Sequence, residues 1–291
     1  MTTAIINYIV WNPNPILGHI GPVTLRYYSL CWIVGLMLGY LLMHKLYRQQ
    51  KLSEEQFDPL FLYIFVGVLV GARLGHCFFY QPDYFLTSWD HIIEMILPIQ
   101  HQAGGWKLTG YEGLASHGGV AGMLIGIWLY CRRIKVPGWV VLDNMGICSG
   151  ITATFIRLGN LMNSEIIGHV TTVPWAFIFV RCDGYPRHPG QLYEALSYFI
   201  IFLIILFIYY KKGPKTVGSG LYFGICLTLI FIMRFLIEYT KDIQEAFEAN
   251  LPIDMGQILS IPLIIIGIWS IVTSKNRLQK IESKKNTPNQ K

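Results

Sequence analysis

The feature that most restricts this chain is an alternation: apolar runs of roughly 17 to 21 residues are separated by short polar segments. As a helix rising ~1.5 Å per residue, each run is long enough to cross about 30 Å of hydrocarbon. The expected spans are 25–43, 60–80, 114–131, 140–156, 193–210, 221–237 and 258–273. Charged residues make up 14% of the chain and hydrophobic ones 53%, against about 25% charged in soluble domains. The pattern predicts an all-α integral membrane protein of about seven transmembrane helices. Residues 1–273 form one embedded domain, residues 274–291 a basic polar cytoplasmic tail, and the outer-face loops carry interfacial segments.

Basic residues set the expected orientation. Fifteen lie in one set of segments: Lys45, Arg48 and Lys51, then Arg132, Arg133 and Lys135, then Lys211, Lys212 and Lys215, then six in the tail. Five lie on the other side: Arg26, Lys107, Arg181, Arg187 and Lys241. Excess Lys and Arg marks the cytoplasmic side, so the N-terminus is expected outside and the C-terminus inside. The first 24 residues contain no Lys or Arg and include Pro13, Pro15 and Pro22. They lack the basic and apolar regions of a secretory signal, so the first span is expected to act as its own insertion signal. The +6 charge is explained by these span-end residues, and nucleic acid is not an expected partner. The six cysteines form no CxxC pair, and His44, His76, His91, His101, His169 and His188 show no ligand spacing. Neither a metal nor any other cofactor is expected.

Three arginines belong to neither count: Arg73, Arg157 and Arg234 fall in or at the end of apolar spans. A charge at the bilayer centre costs from about 2.5 kcal/mol upward, so each needs a partner or a use. At ~1.5 Å per residue all three lie about 20 to 25 Å beyond the inner ends of their helices, in the outer third. Other polar groups are expected at the same level. They are Tyr28, the His117-Gly118-Gly119 turn, Glu194, Glu238 and the Asn160, Asn163, Glu165, Gly168 group that follows Arg157. Arginines near a membrane surface suit a lipid phosphate, which guanidinium grips in a bidentate fork. The bland alternatives are an Arg157–Glu165 pair and an Arg234–Glu238 pair at i,i+4. Glycines at four-residue spacing, such as Gly35 and Gly39, Gly67 and Gly71, Gly122 and Gly126, are expected to serve close helix packing.

The run Arg157-Leu158-Gly159-Asn160-Leu161-Met162-Asn163-Ser164-Glu165-Ile166-Ile167-Gly168 resembles the signature of bacterial prolipoprotein diacylglyceryl transferases, G-R-x-G-N-F-x-N-x-E-x-x-G. Further segments agree in order: Gly21-Pro22-Val23 with Tyr28, Gly71-Ala72-Arg73-Leu74-Gly75, His117-Gly118-Gly119, and Pro186-Arg187-His188-Pro189 with Gln191-Leu192-Tyr193-Glu194. Arg234 with Glu238, and the run from Met255 to Pro262, complete the set, so the resemblance covers roughly residues 18–272. The chain departs from the family at Ile156, Leu161, Ser29 and Ile230, the last standing where the family has a tyrosine.

The resemblance implies a transferase of the bacterial cytoplasmic (inner) membrane, multi-pass, with its site toward the outer leaflet and periplasmic side. It would move the diacylglyceryl group of phosphatidylglycerol onto the lipobox cysteine thiol of a prolipoprotein signal peptide, forming a thioether and releasing glycerol phosphate. This is the first step of lipoprotein maturation. By resemblance the catalytic residues are Arg157, Arg234, His117 and Tyr28. Substrate binding would add Asn160, Glu165, Gly168, Arg73, Glu194, Glu238, Gly118 and Gly119. His117 is read either as the base for the thiol or as a group that orients lipid. Tyr28 is read either as a headgroup anchor or as an interfacial aromatic. Intramembrane charge also suits three rival classes. A transporter would need polar groups through the membrane, and Asp143 is the obvious inner one. An intramembrane protease would need a Ser–His pair, paired Asp residues or HExxH. A lipid-binding protein would bind without covalent transfer.

Overall fold

Each apolar run forms a helix, and most helices extend past the run that announces them. The computed structural model describes residues 8–21, 23–97, 99–102, 105–108, 113–242 and 253–286. The long helices are α1 (Tyr27–Gln49), α2 (Glu54–Phe79), α5 (Ser116–Ile134), α6 (Gly138–Asn163), α7 (Gly190–Lys212), α8 (Leu221–Glu238) and α9 (Met255–Asn286). Two short ones, α3 (Pro82–Phe85) and α4 (Trp89–Ile96), lie between α2 and α5. Six helices (α1, α2, α6, α7, α8 and α9 through Ile281) are long and apolar enough to span a membrane. The remaining long helix, α5, carries four glycines and has Ser116 and His117 at one end and Arg132 and Arg133 at the other.

Two helix ends differ from the sequence reading. The stretch after Thr273 continues α9 to Asn286, because Lys, Arg, Gln and Glu are good helix formers and no Gly or Pro interrupts them. Residues 287–291 of the expected tail, and Pro22 of the N-terminal motif, lie outside the described residues. Helix α6 runs past Ile156 to Asn163, carrying Arg157, Asn160 and Asn163 within it.

The chain groups into two compact units, residues 51–141 and residues 1–50 with 142–291. In the first, α2 and α5 meet backbone to backbone. A Cβ on Gly71 would come 2.3 Å from the Gly118 carbonyl oxygen, and one on Gly122 would come 2.0 Å from that of Gly67. Small residues let helices approach this closely in a bilayer, where lipid tails remove the hydrophobic drive for association. Arg73 is buried in this unit. Its Nη2 donates to the Glu94 carbonyl (2.8 Å) and its Nε to that of Met95 (3.3 Å), with the guanidinium 4.9 Å from the centre of the Phe85 ring. It therefore holds the C-terminal end of α4, where carbonyls favour a cation. In the expected outer-face loop between the second and third spans, β4 (Ile99–Gln102) and β5 (Gly105–Leu108) form a hairpin.

In the second unit, α1 packs on α6 through Gly35 and Gly39. The Thr152 hydroxyl, which a Gly39 Cβ would meet at 2.5 Å, donates to the Gly35 carbonyl at 3.0 Å. Helices α8 and α9 pack through Gly224 and Gly267. The loops carry small sheets. Strand β1 (Ile9–Trp11) lies parallel to β6 (Phe177–Phe179), which pairs antiparallel with β7 (Pro186–Arg187). Strands β2 (Ile16–Ile20) and β3 (Val23–Arg26) form a hairpin ahead of α1. Asp143, fully buried on α6, accepts from the backbone N–H groups of Gly218 (2.9 Å), Gly220 (2.9 Å) and Phe223 (3.0 Å). It closes the N-terminal end of α8, a use that requires no polar path through the membrane.

Candidate active site

By chain alternation, the C-terminal end of α6, the N-terminal end of α7 and the C-terminal end of α8 lie at one level. Their polar residues meet there. Glu194, in the first turn and a half of α7, is fully buried. Arg157 Nε lies 2.9 Å from its Oε2, a contact that lacks the alignment of a hydrogen bond and is ionic. Lys241 Nζ donates to its Oε1 at 2.9 Å and to Glu238 Oε2 at 2.9 Å. Tyr198, one turn along α7, reaches Glu194 Oε1 with its hydroxyl at 3.5 Å and lies within electrostatic reach of both Arg157 and Arg234. Arg234 is half-buried and makes no hydrogen bond or ion pair among the described residues. Burying a charge is tolerated when it is paired, so the unpaired guanidinium is the informative one.

The end of α6 is built to hold Arg157 at this level. Ser164 adopts φ +57°, a left-handed conformation usually reserved for glycine. The Glu165 N–H bonds the Asn160 carbonyl and the Ser164 N–H that of Leu161, both at 3.0 Å, a Schellman closure. Side chains lock it. Arg157 Nη1 donates to Asn160 Oδ1 (3.3 Å), Asn160 Nδ2 to Glu165 Oε2 (3.3 Å) and Asn163 Nδ2 to Glu165 Oε1 (3.0 Å). Glu165 is thus exposed and held by two amides, and Arg157 pairs with Glu194 instead. Leu161, one of the departures, fills an apolar cluster with Phe177 and Phe179.

Gly168 is required by close approach. A Cβ there would stand 2.4 Å from the Thr240 carbonyl oxygen and 2.6 Å from that of His188. Its backbone bridges to Lys241, and Arg187 Nη1 donates to its carbonyl at 3.0 Å while pairing with Asp183 and Asp242. Arg187 holds the Asp183 carboxyl below its ordinary range through the hydrogen bond between them. Beside this loop, Trp175 Nε1 donates to the Tyr193 hydroxyl (2.8 Å), which lies 3.0 Å from His188 Nδ1. Burial, and then the charge of His169, push the His188 pKa down.

Tyr28 lies at the start of α1 against α6. A Cβ on Gly159 would touch its ring at 3.1 Å, which places the tyrosine beside the turn that carries Arg157. Of the remaining expected residues, His117, Gly118 and Gly119 belong to the other unit. His117 is exposed in the first turn of α5, Gly118 packs on α2, and Gly119 is buried beside Ala72. Arg73 has the surroundings of a structural cation.

Sequence reasoning missed Lys241, Tyr198 and Gln191, whose side-chain amide donates to the Glu165 carbonyl. Lys241 was hidden by the reading of 238–257 as loop. Lys241 lies just past the end of α8, three residues after Glu238, and that short spacing is the signal that pairs the two.

Fold and site together define a multi-span membrane protein with a buried cluster of cations and carboxylates at one end of its helices. Residues 15–273 match the family model for prolipoprotein diacylglyceryl transferase. The chain is 53% identical over 262 residues to a Bacteroides fragilis protein named phosphatidylglycerol–prolipoprotein diacylglyceryl transferase, covering 90% of this chain and 93% of that one. Proteins of the same name from Tolumonas auensis and Porphyromonas gingivalis are 45% and 40% identical. Each alignment covers 91% of this chain, and 97% and 94% of those relatives. The chain belongs to the prolipoprotein diacylglyceryl transferase family.

Proposed function

We propose that this transferase moves the diacylglyceryl group of phosphatidylglycerol onto the cysteine thiol in the lipobox of a prolipoprotein signal peptide, the first step of lipoprotein maturation. The observation that carries the reading is the buried cluster in which Glu194 contacts both Arg157 and Lys241 while Arg234 has no ion pair among the described residues. The sulfur attacks the glyceryl carbon that bears the phosphate. As the new C–S bond forms, the C–O bond breaks and its electron pair leaves on glycerol phosphate. Charge grows on the phosphate oxygens, and preorganised guanidinium groups stabilise it where it develops. Arg157 and Arg234 are assigned to that role, with Tyr28 beside the Arg157 turn and Asn160, Glu165, Gly168, Glu194 and Glu238 holding the cluster. The thiol proton must leave. A thiol of pKa about 8.5 is mostly protonated at neutral pH, and full deprotonation is worth roughly 2 kcal/mol. His117 is the candidate base, and Gly118 and Gly119 keep its turn against α2. Arg73 we assign to holding α4.

The seventh span is assigned to α5, giving one membrane domain with the N-terminus outside and the C-terminal end of α9 in the cytoplasm. The excess of Lys and Arg at the opposite ends of α1, α5 and α7 supports this orientation. It places the cluster toward the outer leaflet of the bacterial inner membrane. The test combines purified protein, phosphatidylglycerol and a synthetic lipobox peptide, with adducts read by mass spectrometry. A diacylglyceryl adduct that requires both Arg157 and the peptide thiol is expected. Phosphatidylglycerol binding without any adduct overturns the proposal in favour of a lipid-binding role.

A further inference from the structure

By its position in the sequence Lys241 is an outer-loop lysine, yet its side chain is 3% exposed and its ammonium bridges two carboxylates, each at 2.9 Å. Glu238 lies four residues after Arg234 on α8, the spacing that ordinarily pairs a carboxylate with an arginine on one helix face. That pair does not form. Glu238 Oε2 is taken by Lys241, and the carboxylate rests on α9 at Gly256, where an added Cβ would stand 2.4 Å from Oε1. Lys241 is held in place independently of its charge, since its backbone bridges to Gly168 and its N–H donates to the Glu238 carbonyl at 3.0 Å.

We propose that Lys241 is a positioning residue that sequesters the Glu238 carboxylate, so that the Arg234 guanidinium stays available to a phosphodiester. The inference rests on the function proposed above and adds what keeps its second arginine free. Among the described residues, the cluster holds three cations (Arg157, Arg234, Lys241) and two carboxylates (Glu194, Glu238). The uncompensated charge falls on Arg234, and it matches the single negative charge of a phosphodiester. Without Lys241, Glu238 turns to the nearest cation on its own helix face, and the anion site is filled from within.

The experiment is a double-mutant cycle with Lys241→Met, Glu238→Gln and both together, with Lys241→Arg as the conservative replacement. KM for phosphatidylglycerol and kcat are measured with the lipobox peptide. Lys241→Met is expected to raise KM about tenfold, the loss of roughly one charge-assisted contact, with a smaller change in kcat. Lys241→Arg should recover most of that loss. In the Glu238→Gln background the same Lys241→Met change should raise KM less than about twofold, because no carboxylate remains to capture Arg234. An equal rise in both backgrounds, or no rise in either, overturns the proposal and leaves Lys241 a structural cation. If Lys241→Met alone does not accumulate folded, Glu238→Gln against the double variant decides by the same criterion. If the unaltered protein forms no adduct, the transferase reading fails by itself. The cycle is then scored on phosphatidylglycerol binding.

Discussion

Arg73 and Arg234 are alike in sequence and different in the folded chain. Both are single arginines in apolar runs, thirteen residues or about 20 Å from the starts of the runs 60–80 and 221–237 at ~1.5 Å per residue. Arg73 is buried against backbone carbonyls of Glu94 and Met95 and the face of Phe85. Arg234 is half-buried, with its obvious carboxylate taken by Lys241. Depth in a span therefore says that a charge must be accounted for, and the partners say how. A cation surrounded by carbonyls at a helix end is structural. A cation whose natural partner has been drawn off is a candidate for binding an anion.

The largest effect expected from this contrast is at Arg157, the arginine that shares the cluster. Arg157→Ala should lower kcat/KM about 10²- to 10³-fold, near the loss of one preorganised donor to a developing anion. The rate of adduct formation at phosphatidylglycerol concentrations below KM would check it, and a retained rate would place Arg157 with Arg73 as a structural cation. Next comes Gly168→Ala, where the new methyl meets two carbonyl oxygens. Overpacking of this kind costs about 1–3 kcal/mol, so a lower Tm together with reduced kcat is expected. Arg73→Met should act through stability alone. Losing hydrogen bonds from a charged donor costs about 2 kcal/mol, read as a lower Tm while kcat per folded molecule stays within a few-fold. A large kcat loss at unchanged Tm would dissolve the contrast between the two arginines.

The smallest expected effect is a pH dependence at His188. Its folded pKa lies below the ordinary imidazole value through burial and the His169 charge. The unfolded chain therefore binds the proton more readily. The stability from neutral His188 is fully present above the ordinary imidazole pKa and is lost as pH falls through that range toward the folded pKa. A Tm drop of about 1–2 °C between about pH 7.5 and about pH 5.5 is expected, and His188→Gln should reduce it. An identical drop in that variant assigns the effect to other groups.

Much of this was legible in the residues. The run lengths announced the helices, and the paired glycines announced the α2–α5 and α1–α6 contacts, because close approach in a bilayer admits few other side chains. The stretch from Arg157 to Gly168 announced the candidate site and the family. Helix ends were less legible. Apolarity stops near Ile156 and Thr273, whereas the backbone hydrogen bonds of α6 and α9 continue to Asn163 and Asn286. Hydropathy marks where lipid contact ends, and a helix ends only where capping or chain geometry stops it.

Sequence alone determined that three charges lay in apolar spans and required an explanation, since charge and hydrophobicity are properties of residues. It could not decide who pairs with whom. Arg157 had Glu165 eight residues on, and Arg234 had Glu238 on its own helix face. The folded chain instead gives Arg157 to Glu194, thirty-seven residues away, and Glu238 to Lys241. Ion pairs fall off over a few ångströms, so a partner is set by which helix ends arrive at one level. That arrangement belongs to the tertiary structure.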